Sequence, residues 1–311
     1  MPRQAESRAA DGAGTPDRVG TPGRVGTPDT VGTPDGAGTP GRAGTPDGAA
    51  TPDGADGRAA PGRGEQVKSA YRTIQLLELL ADSPSRFTLA ELQRQLGVPK
   101  SSLHGLLQTL VARGWVEPDG RGTAYGIGLR ALRVGASYLD HDPMTLAAGP
   151  LLAALQQRLD ETIHLARIDG CDVVYLASRE SQHHLRVTSR IGRRLPAHST
   201  ALGKALLAAR SAEEVDALLP GKLASLTADT VSDRDKLHAE LADIRVRGWA
   251  YESGQNTPGL CCFAVAIPSC HPAIYAVSCS IPQVRLTDSH RHDVIAALTE
   301  CADELGYAGR R

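Results

Sequence analysis

The sequence predicts an α+β chain: an N-terminal winged helix-turn-helix, a linker helix and a C-terminal antiparallel sheet flanked by helices, preceded by a disordered tail. Three observations predict it. Residues 88–113, TLAELQRQLGVPKSSLHGLLQTLVAR, carry two apolar stripes of helical spacing divided by Gly97-Val98-Pro99. Two β-rich stretches, Trp115–Glu117 and Thr123–Ile127, follow around the turn Pro118-Asp119-Gly120. Beyond residue 144, strand-like stretches gather at both ends of the region with helical ones between them, the order of an antiparallel sheet with helices on it.

Residues 1–64 form the tail. From Gly14 to Ala55 a hexad recurs (GTPDRV, GTPGRV, GTPDTV and variants). Its prolines remove ladder donors, and Val and Ala are its only apolar side chains, so nothing offsets the entropy of ordering it. Its arginines and acids nearly cancel, which argues against a basic DNA-clamping arm, and no function is assigned to it.

The predicted DNA-binding domain spans 65–128. VKSAYRTIQLLELLAD places Ala70, Ile74, Leu77 and Leu80 at helical spacing with Tyr71 alongside, a third wall for the hairpin. Thr88 and Glu91 have the spacing of a capping box. Leu89, Leu92 and Leu96 make the stripe of the first helix, and Gly97 stops it. Val98 buries the turn, and Pro99 suits the first position of the next helix. There Leu103, Leu106, Leu107, Leu110 and Val111 face inward, leaving Lys100, Ser101, Ser102, His104 and Gln108 outward. Such a face suits a recognition helix, which needs hydroxyls and amides for base edges and cations for phosphates. The same spacing also describes an ordinary helical hairpin with a solvated face. The β-hairpin behind it favours a winged helix, with Arg121 at the wing tip to meet a phosphate or the minor groove.

LRALRVGASYLD supplies the linker helix of a 129–143 segment and a candidate dimer seam, ended by Asp142-Pro143. In the last domain, 144–311, MTLAAGPLLAALQQRLD reads as a helix interrupted by Gly149-Pro150. TIHLARID and DVVYLAS are strands around Asp169-Gly170, and LRVTSRI is a third. Helices follow at Ala201–Ala209, at Ala212–Leu219 with a Ser211/Glu214 capping box, and at Asp233–Arg247 closed by Gly248. WAYES, CFAVAIP and IYAVSCSIP are strands, and a last helix runs from Asp288 to Leu305.

A net charge of −1 means that DNA binding must come from local charge, and Arg94, Lys100, Arg113, Arg121, Arg130 and Arg133 outnumber Glu117 and Asp119 near the hairpin. The six cysteines contain no C-x-x-C pair, a poor zinc or disulfide framework that fits a reducing cytosol. With no spanning apolar run and no signal-peptide core, the expectation is a soluble cytoplasmic, nucleoid-associated protein with no membrane partner. No cofactor is expected. Gly126-x-Gly128-x-x-Ala131 imitates a dinucleotide fingerprint but leads to no parallel strand. HSTALGKA imitates a phosphate loop, but His198 stands in for the first glycine and Ala205 for the magnesium-binding hydroxyl. His183-His184, read as neighbours on a strand, point to opposite faces and lack a carboxylate at ligand spacing.

Alternation along YAVSCSIP puts Val277, Cys279 and Ile281 on one face and Ser278 and Ser280 on the other. In CFAVAI it separates Phe263, Val265 and Ile267 from Cys262, Ala264 and Ala266. If the small faces coincide they form a recessed floor with two hydroxyls and a thiol; small residues equally let a helix pack closely. Ser199 or Thr200 caps a helix whose first N–H groups, at Ala201 and Leu202, suit an anion, although capping alone explains the same turn.

The chain from Val67 onward resembles the isocitrate-lyase-regulator (IclR) family of bacterial transcription factors. The resemblance rests on LGVPKSSLHGLLQTLVARGWVE, ETIHLARIDGCDVVYLA, SRIGRRLPAHSTALGKALLA and RGWAYESGQNTPGLCCFAVAIP. It implies a cytoplasmic regulator that binds double-stranded operator DNA as a homodimer or tetramer, with a C-terminal domain of GAF-like fold sensing a small-molecule effector, often acidic or aromatic. It also implies an effector held at the positions of Ala201, Leu202, Glu252, Cys262, Ser278 and Ser280. Glu252 stands where an acidic side chain is usual, and Gly105 where the family usually has Arg. Because Glu252 opposes a second negative charge, a small hydroxylated or mono-acidic metabolite is expected. Two other readings compete: an enzyme using Cys262 as nucleophile with His198 or Glu252 as base, and a signalling module without DNA binding.

Overall fold

Residues 67–309 are described in a computed structural model, so the expectation for the 1–64 tail lies outside the described residues. Helix α1 (Lys68–Asp82) packs on the strand Ala124–Ile127 and on α2 (Leu89–Leu96). Thr88 Oγ1 accepts from Glu91 N, and the Glu91 carboxylate accepts from Thr88 N at 2.7 Å, which closes the predicted capping box. Gly97 ends α2 at φ +61°, a left-handed conformation that glycine enters without a Cβ penalty. Helix α3 (Lys100–Ala112) buries Leu103, Leu107 and Leu110 against Leu76, Leu80 and Leu92. Pro99 proves to be its N-cap rather than its first residue. In α1 the inward stripe is Leu76 and Leu80; Tyr71 and Ile74 are exposed, contrary to the predicted stripe. Both faces of that helix are apolar, so periodicity alone does not say which one meets the core. Strands β1 (Phe87–Thr88), β2 (Val116–Pro118) and β3 (Ala124–Ile127) form a small sheet in the order β1-β3-β2, the wing.

The helix after the wing, α4 (Leu129–His141), starts locked to it. Gly128 N donates to Trp115 O at 2.7 Å, Arg130 N to Gly114 O at 3.1 Å, and Leu129 N to the Glu117 carboxylate at 3.1 Å. A Cβ on Gly128 would lie 2.5 Å from Gly114 O, so only glycine permits this join. Asp142 then ends α4 and caps α5 (Pro143–Leu159), accepting from Thr145 N at 2.9 Å. The predicted interruption at Gly149-Pro150 is absent: α5 is one helix with Pro150 inside it. Proline forfeits one backbone bond, and burial of Met144, Ala148, Leu152, Leu155 and Leu159 along the sheet offsets that loss.

The larger sheet has the order β6-β5-β4-β9-β8-β7, antiparallel throughout. Its strands are β4 (Thr162–Asp169), β5 (Asp172–Arg179), β6 (Arg194–Pro196), β7 (Ala250–Ser253), β8 (Leu260–Ala266) and β9 (Tyr275–Pro282). The predicted strand LRVTSRI does not form; the pairing with β5 is made later, by Arg194–Pro196 against Asp172–Val174. Residues 185–191 follow a different path because their polar groups are held elsewhere. Arg186 pairs with Glu180, Val187 O accepts from Thr162 Oγ1, and Gly192 at φ +82° turns the chain with its N–H on Tyr175 O. One face of the sheet carries α5 and α9 (Asp288–Ala308) over Ile163, Leu165, Phe263, Val277, Cys279 and Ile281. The other carries α6 (Ala201–Ala208), α7 (Ala212–Leu218) and α8 (Arg234–Arg247) over Ala166, Val173, Ala264 and Ala276. Among the described residues no helix is long and apolar enough to cross a membrane.

Candidate DNA interface and ligand cavity

Lys100, Ser101, Ser102, His104 and Gln108 are all exposed on α3, on the side away from its buried leucines. Arg121 is exposed in the β2–β3 turn. Asp119 braces that turn: its carboxylate accepts from Thr123 N at 2.7 Å, Ala124 N at 3.1 Å and Thr123 Oγ1 at 3.0 Å. Those donors hold its pKa below the usual carboxylate range, so the wing tip is anchored by an ionised group rather than by a core. Gly105 is exposed next to His104, with open space where a Cβ would stand.

The six positions singled out in the C-terminal region come together. Ala201, Leu202, Glu252, Cys262, Ser278 and Ser280 line one partly open cavity of about 40 Å³ between the sheet and the N-terminus of α6. The register explains the floor: Cys262 faces Ser280 and Ala264 faces Ser278 across β8 and β9, so the two small faces coincide. Cys262 Sγ and Ser280 Oγ lie 3.3 Å apart. Thr200, rather than Ser199, caps α6 by accepting from Gly203 N at 3.0 Å, which leaves the N–H groups of Ala201 and Leu202 outside the helix ladder. Gly203 serves close packing: a Cβ there would lie 2.1 Å from Ala197 O. The phosphate-loop likeness therefore has a structural cause, and Lys204 is fully buried on Glu240 and Gln255.

Electrostatics separate binding from nucleophilic chemistry. Burial raises the Glu252 pKa, against the lowering effects of Cys262, Gln255 N (2.9 Å) and Lys204. Burial first, and then the neighbouring Glu252, push the Cys262 thiol well above its ordinary value. A nucleophilic cysteine needs an electropositive setting that favours thiolate; Cys262 has the opposite. His198, the other candidate base, has its Nε2 2.9 Å from Ala224 O and is held toward its neutral form by burial. No group of three metal-ligating side chains occurs among the described residues; His183 instead lies 3.3 Å from Asp160, off any strand.

The cavity also has walls that sequence reasoning missed: His164, Tyr175, Arg193 and Asn256. His164 was legible in principle, as a lone imidazole within the alternation of TIHLARID. Tyr175 shares the face of Val173 by plain alternation; the bulge of β5 lies just beyond it, where Leu165 pairs with Ala177 but Ala166 with Tyr175. Tyr175 also borders a wider groove of about 720 Å³ under α4, shared with Leu132, Tyr138, Leu139, Ile191 and Gly192. The 187–193 segment thus touches both spaces, and Arg190 donates to Ala81 O in α1 at 3.3 Å.

Two family models match the chain: the IclR helix-turn-helix domain over residues 69–120, and the bacterial transcriptional regulator IclR C-terminal domain over residues 136–307. The chain is 34% identical over 258 residues to the transcriptional repressor IclR of Escherichia coli (strain K12), covering 81% of this chain and 94% of that protein. Two crystal structures share the fold. An IclR transcriptional regulator from Alicyclobacillus acidocaldarius aligns with a TM-score of 0.71 at 23% identity, covering 78% of this chain and 99% of that one. An IclR homolog from Microbacterium hydrocarbonoxydans, complexed with 4-hydroxybenzoate, aligns at 0.64 and 23% identity with the same coverage.

Proposed function

Because the chain belongs to the IclR family of bacterial transcriptional regulators, DNA-binding proteins with a C-terminal ligand-binding domain, we propose how this member divides its work. Residues 65–128 read a double-stranded operator through Lys100, Ser101, Ser102, His104 and Gln108, with Arg121 on the flanking backbone or minor groove. Residues 129–143 link, and 144–311 hold a small hydroxylated or mono-acidic effector whose binding sets operator affinity. One observation carries the effector site: residues from α6, β7, β8 and β9, separated by as many as 79 positions, converge on one cavity with two hydroxyls and a helix N-terminus. The protein acts on DNA in the cytoplasm, and we take the sign to be repression, as in the named E. coli relative.

A homodimer or a dimer of dimers fits the exposed side of α4. Leu129, Leu132, Val134 and Tyr138 are 45–72% exposed, and no residue of that helix is buried. A single winged helix covers a short half-site, and a twofold pair doubles it. A ligand moves DNA affinity only by favouring one of two DNA-linked states; Tyr175, the 187–193 segment and the Arg190–Ala81 contact offer it a route. The experiment is a footprint on the intergenic DNA beside the chain's own gene, across a salt series and with candidate acids. Salt-sensitive protection of one site, relieved by an acid, supports the reading. Affinity no better than for random duplex ends it.

A further inference from the structure

Helix α4 leaves a groove beneath it that the effector reading does not use. Leu132, Gly135, Ala136 and Leu139 line it, three and four positions apart and so on one helical face. The middle of that face carries its smallest side chains. A Cβ built on Gly135 meets nothing within 4 Å, so the glycine does not serve close packing, although it is a poor helix former. Val174, Leu176 and Ile191 complete the apolar walls. Leu132 and Ile191 are 66% and 51% exposed, so apolar surface stands open to solvent at the groove. Its volume, about 720 Å³, falls in the range of pockets that bury a small organic ligand. Of its lining residues only Tyr175 also lines the cavity.

The groove carries surplus positive charge. Arg167 and Arg194 line it against a single acid, Asp169. The Arg194 guanidinium is taken, paired with both Asp169 and Asp172. Arg167 donates to the Tyr138 hydroxyl at 2.8 Å and lies 5.6 Å over the Tyr275 ring, with no ion pair among the described residues. Asp142 is near enough to act on its charge, but Tyr275 Oη donates to that carboxylate at 2.6 Å and Thr145 N at 2.9 Å. One cation is therefore left over beside the apolar walls.

We propose that this groove is a second ligand site, which takes a monocarboxylate with an unbranched alkyl body. Arg167 binds the carboxylate, and the aliphatic walls cover the chain. A second anionic group gains nothing from Arg194, whose charge is already neutralised. Leu132 and Tyr138 also belong to the exposed side of α4, so a second copy of this chain is the rival occupant. An apolar helix face laid into the groove would bury the Arg167 charge without a partner, which favours the anion.

Calorimetric titration of the full chain with hexanoate, octanoate, decanoate and 1-octanol tests this. Affinity should rise by up to about fourfold for each methylene added to the acid. Octanoate should bind at least about tenfold more tightly than 1-octanol. Arg167→Gln should bring octanoate down to the level of 1-octanol and leave 1-octanol unchanged. Gly135→Leu puts a side chain into the groove and improves helix propensity. It should weaken both ligands by about tenfold or more with no loss of melting temperature. Should Gly135→Leu not fold, octanoate with an isotope-labelled terminal methyl must show magnetisation transfer to the methyl groups of Leu139 or Leu176 in the unaltered protein; its absence overturns the proposal. Ser278→Ala/Ser280→Ala should leave octanoate affinity unchanged, and loss of binding there would move the acid to the cavity and overturn the proposal. No octanoate binding at millimolar concentration, or an affinity indifferent to chain length, also overturns it. A parent that binds no octanoate, with a Gly135→Leu variant that sediments as a smaller species, assigns the groove to a second copy instead.

Discussion

The ring of His164 meets the ring of Tyr175 edge to face, with centroids 4.9 Å apart and planes at 87°. Strands β4 and β5 thereby place a buried imidazole against an aromatic wall, with Arg193 close enough to act on its charge and Ser278 opposite it in register. The pair has a consequence for stability. The folded pKa of His164 is about 3, against 6.5 for the free side chain. Between those values the unfolded chain binds the extra proton, so stability rises with pH across that window and is lost as pH falls from 6.5 toward 3. Replacing His164 by Phe should flatten that dependence by as much as about 1.4 kcal/mol per pH unit. Urea denaturation at pH 5 and pH 7 measures it; equal pH slopes in both proteins would show that the imidazole is not held neutral.

On the DNA side, Gln108→Ala should cost about 1–3 kcal/mol at one base position and relax preference there. Lys100→Ala should weaken all duplexes alike and reduce the salt slope by about one. Fluorescence anisotropy on an operator and its single-base variants distinguishes the two patterns. A uniform loss for Gln108→Ala would move that residue from base readout to backbone contact.

Much of this was legible in the sequence, and the exceptions share a cause. Capping residues, helix stops and the alternation of Ser278 and Ser280 are local, and local chemistry decided them: the Thr88/Glu91 box and the Thr200 cap both form. What could not be read depended on partners far along the chain. Which face of α1 meets the core depends on β3 and α2. The path of residues 185–191 depends on Thr162 and Glu180. The bulge that follows Tyr175 depends on the pairing of β5 with β4. Of the two cavity walls with the most distinctive chemistry, His164 was legible from the alternation of TIHLARID, whereas Arg193 is one Arg among several and carries no pattern.

Gly105 of α3 stands where the family resemblance implies an Arg, and the site has open space. Gly105→Ala should raise stability by up to about 1 kcal/mol through helix propensity alone. Gly105→Arg should raise operator affinity and steepen the salt dependence by about one further phosphate. Thermal melting checks the first and anisotropy across a salt series the second. A destabilised alanine variant would mean that α3 needs the glycine for a reason other than space.

The exposed apolar side of α4 predicts association. Leu132→Asp sets a carboxylate at a position 66% exposed in the single chain, so it should leave the fold intact and weaken an interface formed there. Sedimentation at micromolar concentration should show the parent as a dimer or larger and the variant shifted toward monomer. Its footprint should lose the second half-site. A parent that sediments as a monomer yet binds a full operator tightly would contradict the seam.

The last prediction concerns transmission. Ser189 and Arg193 border the cavity, Ile191 and Gly192 border the groove under α4, and Arg190 donates to Ala81 O at the end of α1. One short segment therefore touches the cavity, the groove under α4 and the end of α1. Arg190→Ala removes the third of these contacts and leaves the cavity walls in place. If the segment carries the signal, the variant should bind effector and operator separately with near-parental affinity. The factor by which effector changes operator affinity should shrink, and the factor by which operator changes effector affinity should shrink equally, because coupling free energy is reciprocal. Operator titrations with and without effector, and effector titrations with and without operator, measure the two factors. Full coupling in the variant would rule this contact out as the route and leave Tyr175 and α4 to carry the signal.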